Sequence, residues 1–266
     1  MNSAARTPIT FVGGGNMGAA LVAGLLKAGW PASLITVVET SSERRAQLIS
    51  FYPGITTSEK IGACTAGVIA VKPPAAAETC AALAQAGATR VLSIAAGIGL
   101  TTLQSAAGAT AAVVRAMPNT PALVGEGAAA ISGSSQCVLA DMEWAESVLG
   151  SVGTVVRVDE KLLDAVTAIS GSGPAYIFLV AEALISSAVG AGLSPEISDA
   201  LVRQLLVGSA KLLQQSAETP AQLRANVTSP NGVTASAIQA LEQAGIRSAI
   251  EATVQAALLR SREMGS

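Results

Sequence analysis

Gly13, Gly15 and Gly18 stand at G-x-G-x-x-G spacing within ITFVGGGNMG, Ile9 to Gly18. That spacing suits a pyrophosphate. The first glycine permits a tight strand-to-helix turn, the second lets backbone come close to the phosphates, and the third lets the helix lie close to the sheet. The free N–H groups at the helix start then point at the anion. Context strengthens the reading, because an apolar run (Ile9, Phe11, Val12) precedes the glycines and an Ala/Leu-rich helical pattern follows them. The alternative is a glycine-rich turn that only packs.

Further stretches fall where an open α/β sheet presents ligands, at the carboxyl ends of its strands. Glu39, after the second strand, suits a free ribose 2′-OH and hence NAD. Ser41, Ser42, Arg44 and Arg45 follow at once, and hydroxyls with guanidinium groups suit a 2′-phosphate. The residues leave that choice open; NADP(H) is favoured, with NAD(H) the alternative. Val71-Lys72-Pro73 offers a rigid turn and a cation, or a strand-ending proline beside a solvated lysine. Ala95-Ala96-Gly97 has no bulk, so a flat ring can lie over it, or it is a tight turn. Met117-Pro118-Asn119-Thr120-Pro121 is a stiff loop that either lines the nicotinamide or makes a rigid exit from the domain. Asn226 to Ser236 contains a turn, Ser229-Pro230-Asn231-Gly232, that opens a helix at Val233 or Thr234. Free N–H groups there can hold a carboxylate, and Thr234 adds a hydroxyl; ordinary capping of a surface helix is the plainer reading.

Composition narrows the chemistry. There is no histidine among the 266 residues, which excludes Ser-His-Asp and Cys-His catalysis and histidine metal sites. Cys64, Cys80 and Cys137 are scattered and lack metal spacing, so we expect reduced thiols, no metal and a cytoplasmic protein. Net charge is -2 without basic runs, which argues against nucleic acid. No signal-peptide pattern opens the chain. Ala175 to Leu193 is the most membrane-like stretch, but it carries Glu182 and no charged flank, so a buried interface helix is expected rather than a span. Half the residues are hydrophobic, 13% are charged and 3% aromatic, so small aliphatic side chains fill the core and an oligomer hides the excess apolar surface.

These residues need a scaffold, and the chain predicts one. Strands at Ile9–Val12, Leu34–Val38, Gly67–Val71, Val91–Ile94 and Ala111–Ala116 alternate with helices at Met17–Ala28, Ser42–Phe51, Ala75–Ala86 and Leu100–Ala106. Such alternation argues a parallel, doubly wound sheet. Gly127–Ser132 and Thr154–Val158 flank a helix at Val138–Leu149 and extend the sheet, antiparallel at its edge. From Lys161 strand signals stop. Ser194-Pro195-Glu196 and Thr219-Pro220 are helix starts, and Arg247–Met264 is the last helix. The expected architecture is α/β: an N-terminal Rossmann-type domain, residues 1–160, then an all-helical dimerisation and substrate domain, residues 161–266. The helix over Ser170–Gly190 is apolar almost all round, hence buried, and a partner subunit is needed to bury it.

Taken in order, GGGNMG, AVKP (Ala70–Pro73), AAG, MPNTP, SGSGPAY (Ser170–Tyr176) and SPNGVT resemble the pyrroline-5-carboxylate reductase family from residue 8 to about 264. SGSGPAY and SPNGVT are the specific marks. The chain departs from the family at Asn231, where Gly-Gly often follows Ser-Pro, and at Thr57, near which some members carry an asparagine toward the adenosine ribose. The resemblance implies NAD(P)H-dependent reduction of 1-pyrroline-5-carboxylate to L-proline, the last step of proline biosynthesis, by an interlocked homodimer, with decamers in some members. It implies cofactor contacts from Asn16, Met17, Lys72 and Ala96, beside Gly13, Gly15, Gly18, Ser41, Arg44, Val71, Pro73, Ala95, Gly97 and Asn119. Substrate falls to Ser229, Gly232, Val233 and Thr234, with Met117 and Asn226, and Thr234 is the candidate hydrogen-bond donor in catalysis. The chemistry agrees, since a protonated cyclic imine is already a strong electrophile that needs placement and exclusion of water rather than a histidine. A β-hydroxyacid-dehydrogenase-like oxidoreductase is the rival enzyme, but Lys161 and Lys211, the two lysines after the crossover, lack that family's glycine and asparagine setting. A non-catalytic dinucleotide sensor would not need the Ser229–Thr234 loop.

Overall fold

The computed structural model describes residues 6–109 and 111–265. Among the described residues eight strands form one sheet, in the order β3-β2-β1-β4-β5-β6-β7-β8. They are β1 (Ile9–Val12), β2 (Ile35–Val38), β3 (Thr56–Ser58), β4 (Ala66–Ile69), β5 (Arg90–Ser93), β6 (Ala112–Met117), β7 (Gly127–Gly133) and β8 (Gly153–Arg157). The first six run parallel, β7 is antiparallel to β6, and β8 is parallel to β7. The Rossmann-type expectation therefore holds, with two edge strands reversed. β3 escaped the sequence reading because Thr56-Thr57-Ser58 is short, polar and at the sheet edge.

Continuous apolar strands make sense once both faces are covered. Successive residues point to opposite faces. Phe11, Val68, Leu92 and Val114 join one core with Leu21, Leu25, Leu48, Trp144 and Val148. These come from the helices α1 (Asn16–Lys27), α2 (Ser42–Phe51) and α5 (Leu139–Leu149). Val12, Ile69, Val91 and Val113 join the other core with Cys80, Leu83, Leu100 and Leu103, from α3 (Ala76–Gln85) and α4 (Leu100–Ala107). Trp144 also carries the Arg90 guanidinium 5.8 Å from its ring.

After β8 the chain is helical: α6 (Leu163–Val166), a single π-helical turn (Thr167–Gly171), α7 (Gly173–Gly190), α8 (Pro195–Gln215), α9 (Pro220–Asn226), α10 (Val233–Gln243) and α11 (Ile246–Gly265). Ser194 and Thr219 cap α8 and α9, accepting the N–H groups of Ile197 and Gln222 at 3.3 and 3.2 Å. Contacts divide the chain after Ser172 rather than at Asp159-Glu160, and return residues from Ala257 onward to the first unit. Two sets of bonds explain the shift. Glu160 accepts the Leu100 N–H at 2.6 Å and pairs with Arg115 at 3.0 Å, and Ser261 Oγ donates to Asp164 at 2.8 Å.

In the second unit, Gly173–Ala256, no residue of α7 is buried within a single chain, as expected of a helix that a partner must cover. Ile177, Phe178, Leu179, Leu201 and Leu205 each expose more than half their surface. Burying a side chain of this size is worth about 1.5–3 kcal/mol. A handful of them therefore equals the ~5–15 kcal/mol net stability of a typical domain. Such a surface requires cover. Analytical ultracentrifugation at micromolar concentration will show a dimer or larger; a stable monomer would contradict the partner-covered helix.

Candidate active site

A cleft of about 600 Å³ opens at the carboxyl ends of β1, β2, β4, β5 and β6. Its walls include Gly13, Gly15, Asn16, Met17, Val71, Lys72, Ala96 and Met117, all singled out from the sequence. The glycines do three different jobs. Gly13 has φ +107°, and a Cβ there would land on the Ala70 carbonyl oxygen. A Cβ on Gly18 would land on the carbonyl oxygen of Gly13. Gly15 alone of the three faces open space, with nothing within 4 Å of where its Cβ would stand. The fold itself therefore leaves room for a side chain there. No side chain caps α1, so its first N–H groups are free for an anion.

Glu39 binds the protein itself. Its carboxylate accepts the N–H groups of Gly14 and Ser41, each at 3.0 Å. Burial acts to raise its pKa, but the Ser41 and Gly14 N–H groups outweigh it and hold the carboxyl below its ordinary value. Ser41 caps α2 by accepting the Arg44 N–H at 3.1 Å. Arg44 Nε donates to the Gly14 carbonyl at 2.7 Å, and Arg45 donates to the carbonyls of Glu39 and Thr40 at 2.6 and 2.8 Å. Arg44 also donates to the Gln47 side chain at 3.1 Å, and since a guanidinium has five donors, these bonds do not use all of either arginine's.

Not every candidate lines the cleft. Gly18 lies under the turn, Ala95 is buried, and the place of a Gly97 Cβ is 3.3 Å from the Met264 carbonyl oxygen. Ser41, Arg44 and Pro73 are not in its lining, though Thr40 and Lys72, neighbours in sequence of Ser41 and Pro73, are; Pro73 opens a single 3-10 turn. Asn119 is turned away, with both ends of its amide bonded inside the protein. Conversely Val12, Val38, Thr40, Ala70 and Ile94 line the cleft and were not singled out as sites, while Pro118 lines it as part of the Met117–Pro121 loop. Their signal was only their place at or just beyond strand ends. No thiol competes for a role: burial raises all three cysteines, Cys80 to about 11. A larger hollow of about 840 Å³ beside α4 and β7 holds none of the candidate residues.

In the second unit the Ser229–Gly232 turn closes with the Gly232 N–H on the Ser229 carbonyl at 3.0 Å. Asn231 takes the left-handed conformation, φ +57°, that glycine usually fills. No side chain caps α10, whose first-turn N–H groups stay uncapped beside the Thr234 hydroxyl. Val233 is 90% exposed. Asn226 is spent elsewhere, donating to Glu218 at 3.0 Å and accepting from Gln222 at 2.9 Å.

Residues 160–264 match the family model for pyrroline-5-carboxylate reductase dimerisation, and residues 8–97 match that for NADP oxidoreductase, coenzyme F420-dependent. A pyrroline-5-carboxylate reductase of Pseudomonas aeruginosa is 39% identical over 262 residues, covering 96% of both chains. The chain belongs to the pyrroline-5-carboxylate reductase family. Among solved structures, the family member from Coxiella burnetii superposes with TM-score 0.93 at 33% identity, covering 98% of this chain and 99% of that one. The Plasmodium falciparum enzyme, solved with NADP bound, gives 0.84 at 30% identity, with coverage of 98% and 99%. The helical run Glu160–Gly190 is long and apolar enough to cross a membrane, yet it lies within the region matching the dimerisation model, which accounts for its apolar surface.

Gly15 and Gly18 separate binding from folding. Gly15→Val will keep its melting temperature but weaken NADPH, followed by fluorescence titration, by about tenfold or more, ~1.4 kcal/mol. Gly18→Val will cost about 1–3 kcal/mol of stability by overpacking, read from denaturant unfolding.

Proposed function

We propose that this chain reduces 1-pyrroline-5-carboxylate to L-proline, the last step of proline biosynthesis, using NADPH in preference to NADH. What carries this is family membership across 96% of the chain together with a glycine-lined cleft at the carboxyl ends of the strands. The open space at Gly15 and the uncapped start of α1 would receive the pyrophosphate. Asn16 and Met17 flank it, and Val71, Lys72 and Ala96 build the rim towards the nicotinamide. Ser41 and Arg44 take the ribose end, where spare guanidinium donors support a 2′-phosphate. When bound, reduced nicotinamide supplies the hydride.

The rest is positioning. The substrate carries a carboxylate and, once its ring nitrogen is protonated, a cyclic iminium. The uncapped first turn of α10 suits its carboxylate, with Ser229, Gly232 and Val233 forming the cradle. Thr234 hydrogen-bonds the ring nitrogen, which holds the iminium carbon for attack. Met117 is proposed as a wall of the ring site. The family's dimerisation region and the uncovered α7 support a homo-oligomer in which the helices are shared. We propose further that dimers assemble into decamers, that the enzyme works in the cytoplasm, and that neither nucleic acid nor membrane is a partner.

Thr234→Ala will lower kcat by about tenfold or more, the scale of one positioned hydrogen bond at a reacting centre. NADPH absorbance with pyrroline-5-carboxylate measures it, and unchanged kinetics remove Thr234 from the site. NADPH binding without any turnover by the wild-type chain would favour a dinucleotide sensor instead.

A further inference from the structure

Asn119 is only 9% exposed, although it follows directly on Met117 and Pro118, which line the cleft. Its Nδ2 donates to the Ser170 carbonyl at 3.0 Å, and its Oδ1 accepts the Ala128 N–H at 2.8 Å. One buried amide therefore ties the end of β6 to β7 and to the π-helical turn Thr167–Gly171. Both partners are backbone, one a donor and one an acceptor, so the amide has a single satisfactory orientation. An independent contact lies alongside. Gly171 belongs to the same turn, and a Cβ on it would stand 2.7 Å from Met117 Cε. Met117 thus rests on a bare glycine of the turn that Asn119 holds. Single π-turns interrupt a helix and recur at functional sites.

We propose that Asn119 is a positioning residue for hydride transfer: through the π-turn it sets how far Met117 and Pro118 project into the nicotinamide end of the cleft. This rests on the reductase reading above. The amide touches neither cofactor nor substrate. It acts by fixing the wall against which the ring lies, and a displacement of about 1 Å at a reacting centre can cost about a hundredfold in rate. The glycine-turn end of the cleft, with Gly13 and Gly15, shares none of these contacts, so cofactor affinity should be separable from transfer.

The test uses Asn119→Ala, which loses both bonds, and Gly171→Ala, which keeps them but presses a methyl on Met117. Single-turnover rates with NADPH and pyrroline-5-carboxylate are expected to fall by about tenfold to a hundredfold in both variants. The NADPH dissociation constant should stay within about twofold, and the deuterium isotope effect with 4-deuterated NADPH should rise as transfer becomes slower. Wild-type rates per folded molecule, whatever the melting temperature, would overturn the proposal. So would a loss confined to NADPH affinity. If Asn119→Ala does not fold, Gly171→Ala decides alone. Wild-type turnover in the same assay keeps this outcome separate from failure of the reductase reading.

Discussion

The close approach of backbone at Gly13 is the constraint on which the rest depends. Three strands meet there: the Gly13 N–H donates to the Val38 carbonyl at 2.9 Å, and the Ala70 N–H donates to the Val12 carbonyl at 2.8 Å. A single methyl on Gly13 would strike Ala70, and one on Gly18 would strike Gly13. Glycine is required at both by the protein's own backbone, whether or not a ligand is bound. The reward is a helix start delivered to the mouth of the cleft with its N–H groups free.

Charge at the edge of that cleft is arranged around the turn. An acid after the second strand would ordinarily argue for a free ribose hydroxyl. Here Glu39 bridges Gly14 and Ser41 and is held ionised by their N–H groups. Its negative charge stabilises the turn, while Arg44 and Arg45 wrap the same backbone and retain donors. The acid and the arginines are thus parts of one structure rather than competing signals for two cofactors.

The second unit follows a different logic. A chain that is 3% aromatic cannot anchor a helical domain with a few large side chains. It uses many Leu, Ile, Val and Ala residues instead, and within one chain only Ser198 and Val202 of α8 are buried, with none in α7. Cover from the family's dimerisation mode accounts for both the composition and the exposure.

Local patterns in the sequence determined most of the scaffold. Apolar runs placed β1, β2, β4, β5 and β6 within a residue or two, because strands covered on both faces must be apolar throughout. Proline after serine or threonine marked α8 and α9, since capping is a matter of adjacent residues. The glycine spacing located the cleft, and the SGSGPAY and SPNGVT stretches pointed to the family by their residues alone. Tertiary structure decided what depends on distant partners. β3 is a strand only because β2 lies beside it. Asn119 reads as a ligand from its loop and is a clip because Ala128 and Ser170 fold back upon it. Glu39 is a brace for the same reason, and the division after Ser172 reflects bonds such as Ser261 to Asp164, 97 residues apart. A side chain's type is written locally, but whether its hydrogen bonds are left for a ligand is settled by what the rest of the chain brings to it.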